Sequence, residues 1–529
     1  MNINDGISGI GSRAHIPPIA DATHRQDIGG KSRINPGTWT PFLDWDDIHP
    51  GNRGRTKINT YELYDAPLGI SLEIEEGNPS EPILQEDNMS FLPSGIWEKD
   101  GKFHFLYERW NLTEKEGWMP NYVCYANSED GYNWNFPDLK QVTDEPQPNN
   151  FLKVVKPGGP GFFEDTNTKN ENERFKFMKQ EGGGFDPDTG EELTDEEWQK
   201  RLKAQDYGGE FYKGPGMQFK HWITAFTSPD GIHWKRHEKP VANFPADGGI
   251  APGYDEVTQQ YFSYIRPTGV NKRAIALTKT KDFYNWPSAR LVQYPDILDE
   301  PDLTLYGGNY FSYPERDDIH CMFVSMYHQI ADTCDNQLAV SRDGLYWNRF
   351  RDAITPLGPA GSGYEGMNRA WGGRLQILPD GHWATLLECH SLYHNWNGNI
   401  KGYEPFPKKQ GGQLRWWRWL PHRLAGITTK AKGEFTITDI TRTQKQLHLN
   451  YRCEPGGWIE VELLSKIPSR LNVDGPAIEK FTFNDSDRLH GDSLDQVVSW
   501  NGNSDLSDTG KAVAIRIRMF QAKIFAYKI

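Results

Sequence analysis

The 529-residue chain is poor in the features that mark several common classes of protein. It has five cysteines, Cys124, Cys321, Cys334, Cys389 and Cys453, none of them in C-x-x-C spacing, which argues against a zinc knuckle and a disulfide framework. Basic residues are in the minority, with 58 Lys and Arg against 72 Asp and Glu and a formal charge of −14. Such a chain exerts no long-range pull on nucleic acid, and a strongly polyanionic substrate is not favoured, although a local basic pocket could override the net charge. There is no apolar window of about eighteen residues, so no membrane-spanning helix is expected. The opening MNINDGISGIGSRAHIPP lacks the apolar centre of a secretory signal. Localisation is left open between the cytoplasm and a secreted form whose signal has been removed. A P-loop, a dinucleotide fingerprint, a G-x-S-x-G elbow and an H-E-x-x-H are all missing. Helical periodicity is nearly absent as well, which makes the expected fold class all-β.

What the chain does have is one phrase written four times. SEDGYNW begins at residue 128, SPDGIHW at 228, TKDFYNW at 280 and SRDGLYW at 341. Each follows a short β-rich run and reads as a hairpin: the Asp can accept backbone N–H groups of the turn, the Gly supplies φ > 0, and the Trp opens the returning strand. The third copy carries Phe283 where the others have Gly. Hairpins repeating at intervals of 100, 52 and 61 residues imply internal repeats of several strands each, the plan of a β-propeller.

Five blades can be counted. Residues 1–79 read as an N-terminal arm with lead-in strands, 80–424 as a five-bladed propeller and 425–529 as a β-sandwich. The fifth blade lacks the closing phrase, so its outer edge is expected to be finished by a segment from near the N-terminus, which would remove an exposed edge. An insertion over 181–215 carries a capping box from Thr194 to Glu197 ahead of a short helix. It is expected to border the mouth of the site. Beyond residue 425 strict alternation takes over: in GWIEVELL, Ile459, Val461 and Leu463 share one face and Glu460 and Glu462 the other.

In a propeller the innermost strands converge on the axis, and acids leading into those strands recur along this chain. They are Asp87, Asp165, Asp302 and Glu365. Cleaving a glycosidic bond needs one carboxyl group as acid and another as base or nucleophile, with environments that hold their pKa values apart. Asp165 and Glu365 are the expected catalytic pair, with Asp87 and Asp302 in reserve. Around them Arg109, Arg266, Arg369, His328 and His390 could donate to sugar hydroxyls. Trp110, Tyr306 and Trp371 offer rings on which the C–H face of a sugar stacks. With 19 Trp, 23 Tyr and 26 Phe in the chain, aromatic rings serve both core and site. No metal ligand set is expected, since His390 and His394 lie in a strand-like region where an i, i+4 pair does not converge.

The repeated S-x-D-G-x-x-W phrase, acids such as Asp165 and Glu365 leading into blades, and the alternating tail together resemble the five-bladed propeller glycoside hydrolases. That superfamily contains β-fructosidases, arabinanases and xylosidases. The resemblance extends over about residues 80–529 and points to a bacterial branch whose tail carries GDS and SDLS, here within Gly491 to Ser507. It implies a glycosidase acting on terminal sugars of an oligo- or polysaccharide, a carbohydrate partner, and no required cofactor, with a structural calcium ion left as an option. In fructosidases and arabinanases three carboxylates from successive blades share the work. This chain has neither WMNDPNG nor RDP, so Asp87, Asp165 and Glu365 correspond by blade position alone. Two other functions fit the same pattern: a propeller phosphorylase, for which Arg369 and Arg374 could hold phosphate, and a sugar-binding propeller without chemistry. The sugar, the linkage, the stereochemical course and the oligomeric state are not written in the sequence.

Overall fold

A computed structural model describes residues 37–55, 61–64, 66–111, 120–155, 158–159, 161–182, 194, 196–197, 221–242, 246, 248, 250–267, 272–394, 411–438, 440, 442–466, 476–510, 512 and 514–529. The described chain is all-β apart from short turns of helix. It divides into two compact units. One contains Gly77–Phe311 and His320–Arg418; the other contains the described residues up to Glu76, with Ser312–Ile319 and Trp419–Ile529.

The first unit is a succession of antiparallel meanders. Strands Met89–Lys99, Lys102–Asn111, Pro120–Ser128 and Trp134–Asn135 make the first sheet. The second runs through Gly161–Glu164, Phe175–Gly182, His221–Ser228 and Lys235–Arg236, and the third through Ala251–Asp255, Gln260–Ile265, Ile275–Thr280 and Arg290–Gln293. A ten-stranded sheet follows, made of two meanders joined by a single parallel pairing, Cys334 with Met367. Its first half is Leu303–Ser312, His320–His328, Thr333–Ser341 and Asn348–Thr355; its second half is Met367–Arg369 and Gln376–Ile377, then Trp383–His390, then Gln413–Trp419. The outermost position of that half is filled by residues from far upstream. Trp417 pairs with Pro79 and Leu414 with Leu84, and Ser80 N–H donates to the Trp416 carbonyl at 2.7 Å.

The four repeated phrases form the turns between third and fourth strands. In the first, Asp130 Oδ1 accepts the N–H groups of Tyr132 at 2.8 Å and Asn133 at 2.7 Å, Gly131 N–H donates to Ser128 Oγ at 2.9 Å, and Trp134 Nε1 donates to the Gly131 carbonyl at 2.9 Å. The same bonds recur at Asp230 and Asp343. Gly131, Gly231 and Gly344 all have φ near +70 to +80°, the backbone region in which glycine is at ease. The third copy dispenses with that glycine yet keeps the indole bond, Trp286 Nε1 to the Phe283 carbonyl at 2.6 Å.

Burial pushes the Asp230 carboxyl up, but the hydrogen bonds from the His233 and Ile232 N–H groups and from the His233 and Ser228 side chains outweigh it and hold the group at about 2. Asp230→Ala is therefore expected to cost ~1 kcal/mol at neutral pH, since it leaves turn N–H groups without their acceptor. The depressed carboxyl stabilises above the unfolded value near 4 and loses its effect as pH falls toward 2. Urea denaturation of the two proteins should accordingly converge at low pH; a constant difference down to pH 2 would contradict this account.

The second unit is a six-stranded antiparallel sheet in the order Asp492–Val497, His448–Leu464, Ala514–Lys528, Ala425–Ile437, Ser71–Ile74, with Thr40–Pro41 pairing the fifteen-residue strand Ala514–Lys528 at Tyr527 and Ala526. Residues 40–74, read from the sequence as arm and lead-in, thus supply two of its strands. Bulges at Thr429/Lys432 and Cys453/Trp458 interrupt the long strands. Residues from both sides of the bulges, Ile427, Tyr451 and Ile524 on one and Phe435, Val461 and Ile517 on the other, enter one apolar cluster, so the sheet curls over a shared core. The expected alternation holds. Ile459, Val461 and Leu463 are buried in that cluster, and on the other face Glu460 pairs with Arg488 at 2.7 Å and Glu462 with Arg516 at 2.7 Å.

The capping box is formed: Thr194 Oγ1 donates to Glu197 at 2.7 Å and accepts from the Glu197 N–H at 3.3 Å. The rest of the 181–215 insertion lies mostly outside the described residues.

Candidate active site

The strand pairings define two ends for each inner hairpin. The first sheet's inner hairpin turns at Lys99 and Lys102, so Ser90 and Trp110, which pair with each other, lie at its open end together with Leu92 and Glu108. In the second sheet Glu164 pairs with Phe175 at the turn, and Gly161 with Met178 toward the open end. Just upstream, Gly158 N–H and Gly159 N–H each donate to Glu108 Oε1 at 2.9 Å, which brings the open ends of these two sheets together. In the last meander Arg369 pairs with Glu388 and Met367 with His390, and Ser90 Oγ donates to Glu388 Oε1 at 3.0 Å. Three sheets therefore converge on one cluster.

Two buried carboxyl groups dominate it, and their surroundings differ. Glu108 has no exposed surface. Burial drives its carboxyl up to about 7; the hydrogen bond from Gly158 N–H, the charge of Lys179 and the bond from Trp110 Nε1 pull the other way without prevailing. Trp110 Nε1 donates to Glu108 Oε2 at 2.9 Å. Glu388 is equally buried, and burial pushes it up too, but the Arg369 guanidinium and the His390 side chain overcome that and hold it at about 2. Arg369 grips it with two parallel bonds, Nε to Oε2 and Nη2 to Oε1, each 2.7 Å, the fork geometry of a strong charge-assisted pair. His390 Nε2 lies 3.2 Å from Glu388 Oε1 and 2.7 Å from Ser90 Oγ. Near neutral pH one carboxyl is poised about its proton and the other is held ionised.

An aromatic wall adjoins them. Leu92, Tyr306, Tyr327, Cys334, Met367 and Trp371 form one buried cluster against which the half-buried Trp110 packs. Trp371 meets Tyr306 edge to face at 5.8 Å. Tyr306 Oη bonds His394 Nε2 at 2.8 Å, and its ring lies under Arg266 at 4.4 Å, Arg273 at 5.0 Å and Arg369 at 5.4 Å. Arg266 Nη1 also donates to the Tyr306 carbonyl at 2.7 Å. Of the residues expected at the site, Trp110, Arg266, Tyr306, Arg369, Trp371 and His390 are thus brought together.

The four expected carboxylates are not. Asp165 follows the strand Gly161–Glu164 and so stands at the hairpin turn, the far end from the Glu108 cluster. It has no exposed surface, and Lys176 Nζ at 2.7 Å and Tyr261 Oη at 2.9 Å occupy its Oδ2. The physical reason is a strand boundary: GFFE is itself the first strand and not the approach to it. Glu365 does precede its first strand at the open end. Its carboxylate is taken by its own loop, accepting from Gly361 N–H at 3.0 Å, Gly363 N–H at 2.8 Å and Ser362 Oγ at 3.3 Å. Asp87 is exposed in the turn before Met89, and its neighbour Glu86 pairs with Arg109 at 2.7 Å. Asp302 accepts the Ile330 N–H at 3.0 Å at the rim of the fourth meander. Near it His328 bonds Asp335 at 3.1 Å, a contact that raises the imidazole above its ordinary value.

Glu108 and Glu388 are nonetheless marked in the sequence. Each is a lone acid inside an apolar second strand, in FLYERW and TLLECH, with Trp110 or His390 two residues on and so on the same face. Among the described residues no group of three His, Cys, Asp or Glu is placed to hold a metal ion.

No family model matches the chain, and no curated protein matches it. Among solved structures it is similar to an exo-inulinase from Aspergillus awamori, at 10% identity over 86% of this chain and 98% of that one with a TM-score of 0.38. It is also similar to a glycoside hydrolase family 43 arabinoxylan arabinofuranohydrolase from Bacillus subtilis in complex with cellotetraose, at 12% identity, 85% and 96% coverage and a TM-score of 0.34. A sucrose-6-phosphate hydrolase from Lactobacillus gasseri matches at 9% identity, 85% and 94% coverage and a TM-score of 0.34.

Proposed function

We propose that the five successive meanders form a five-bladed propeller over about residues 80–424, that the curled sheet after it is a β-sandwich, and that the protein is a glycoside hydrolase whose acid is Glu108 and whose base or nucleophile is Glu388. One observation supports the catalytic assignment above the rest: two carboxyl groups in one cluster with pKa values pushed to about 7 and about 2. Groups held apart in this way divide into a proton donor and an ionised partner, the pair that glycosidic cleavage requires. Glu108 delivers its proton to the departing glycosidic oxygen. Glu388 acts from the other side, on water or on the anomeric carbon. Trp371 and Trp110 supply faces for the ring, and the burial of both carboxyls suits a chain end better than the middle of a polymer.

Phosphorolysis is less well supported. Arg369, one of the two guanidinium groups that would anchor phosphate, is engaged by Glu388, and Arg374 donates to the carbonyls of Phe162 and Pro252. A sugar-binding propeller without chemistry has one observation in its favour, the absence of exposed surface on Glu108 and Glu388. The half-buried Trp110 donates its indole N–H to Glu108 Oε2, so a substrate that displaced it would reach that oxygen of the acid.

Aryl glycosides and plant or marine polysaccharides, assayed with and without phosphate and with product analysis, test the proposal. Phosphate-independent release of sugar is expected. Because Glu108 must carry its proton, the rate should fall as pH rises through about 7 and hold on the acid side down to where the fold fails. An alkaline limb far above pH 7 would remove Glu108 from the role of acid.

A further inference from the structure

The cluster holds more positive charge than its chemistry uses. Arg369 is matched by Glu388. Arg273 is not: its half-buried guanidinium rests 5.0 Å from the Tyr306 ring centre and 5.2 Å from that of Tyr327, and that guanidinium makes no hydrogen bond and no ion pair among the described residues. A guanidinium carries five N–H donors, and stacking on aromatic faces satisfies the charge while leaving the donors in the ring plane unused. Arg266 stands over the same Tyr306 ring at 4.4 Å and 5.7 Å from that of Trp371. Arg266 and Arg273 border the connection between the second and third strands of the third sheet. That connection is at the open end, since Ala251 pairs with Tyr264 there while Asp255 pairs with Gln260 at the turn.

Resting on the glycosidase reading, we propose that Arg273, with Arg266 beside it, binds an anionic substituent of the sugar seated on Trp371 and Trp110, and hence that the substrate is an acidic saccharide bearing a carboxylate or a sulfate ester. A chain with a net charge of −14 repels such a substrate at long range. The discrimination then has to be made at contact, where two oxyanion oxygens can span the guanidinium fork. Tyr306 links this group to the reacting pair, because Arg369 lies over the same ring while gripping Glu388. The substituent would therefore sit on the sugar that is being cleaved.

The test is binding, so it does not depend on turnover. Quenching of tryptophan fluorescence is titrated with glucuronate, galacturonate and galactose 6-sulfate, each against its neutral sugar, on the full-length protein and on Arg273→Gln and Arg273→Lys. At least one anionic probe is expected to bind about 10- to 100-fold more tightly than its neutral counterpart, the size of one charge-assisted contact. The preference should vanish in Arg273→Gln with affinity for the neutral sugar unchanged, return in part in Arg273→Lys, and weaken with salt. Which probe wins distinguishes carboxylate from sulfate. If every anionic probe binds no better than its neutral partner, or if Arg273→Gln loses neutral and anionic sugars alike, the proposal is wrong. Tight binding of an acidic sugar with no cleavage of its aryl glycoside would leave this inference standing and remove the hydrolase reading instead.

Discussion

Glu388→Gln is expected to lower turnover by at least ~10³-fold on any true substrate and, separately, to destabilise the protein by about 3–5 kcal/mol. The second effect follows from Arg369. With its carboxylate partner converted to an amide, a guanidinium buried beside Tyr306 and Trp371 keeps its charge and loses its counter-charge, the costliest way to break a buried pair. The two effects can be taken apart. Replacing the pair together, Arg369→Met with Glu388→Leu, removes both charges and should recover much of the stability while restoring no activity. Chemical denaturation and kcat per folded molecule are the measurements. If Glu388→Gln retains near-normal kcat in the folded fraction, Glu388 is an architectural partner for Arg369 and the assignment of the base or nucleophile falls.

Glu108→Gln should behave differently, because a proton donor matters in proportion to how much its leaving group needs a proton. The loss on a natural glycoside is expected at ~10²–10⁴-fold. On a dinitrophenyl glycoside, whose leaving group departs without help, it should be slight, and the alkaline limb near pH 7 should disappear. Stability should shift in a sense fixed by the raised carboxyl. A group whose folded pKa is about 7 and whose unfolded value is near 4.5 contributes fully below the unfolded value and loses that contribution as pH rises through 7, a span on the order of 3 kcal/mol. The Gln variant should lose this slope. Denaturation at pH 5 and pH 8 checks it: equal slopes in both proteins would mean that Glu108 is ionised throughout and cannot serve as the acid.

The sequence exposed the repeating architecture more readily than the site. Ser, Asp and Trp at fixed offsets are forced by a local turn whose bonds all fall within seven residues, so the four hairpins could be read without knowing the fold. The closing of the last meander by residues 78–85 followed from a missing phrase and the cost of an open edge. The tail could be read from its alternation. The proposed acid and base could not, because their meaning is non-local. Whether Glu388 faces His390 and Arg369, or merely solvent, depends on which end of its strand meets the other sheets, and that is set by pairings hundreds of residues apart. Asp165 shows the cost of one misplaced boundary: shifting the first strand by its own four residues carries an acid from the open end of a hairpin to its turn. Glu365 shows another limit, since the N–H groups that claim its carboxylate come from a loop conformation that composition does not reveal. Trp110, Tyr306, Arg369, Trp371 and His390 are recognisable as sugar-contacting types, and the structure places them around Glu108 and Glu388.

The pairing of Ser80 with Trp416 spans 336 residues, and it sets a timetable for synthesis. The segment 78–85 leaves the ribosome early and has no partner until Gln413–Trp419 follows. At ~5–20 residues per second that interval is roughly 20–70 s, long compared with the formation of any of the intervening hairpins. Through that interval the early meanders can fold each on its own, while the upstream segment remains an unclaimed strand and the sheet it will complete does not yet exist. The last step of folding in this unit is therefore a capture of an early segment by a late one. A nascent chain halted before residue 413 would hold its hairpins yet leave the site unfinished, since the strand that presents Glu388 would have one flank unpaired.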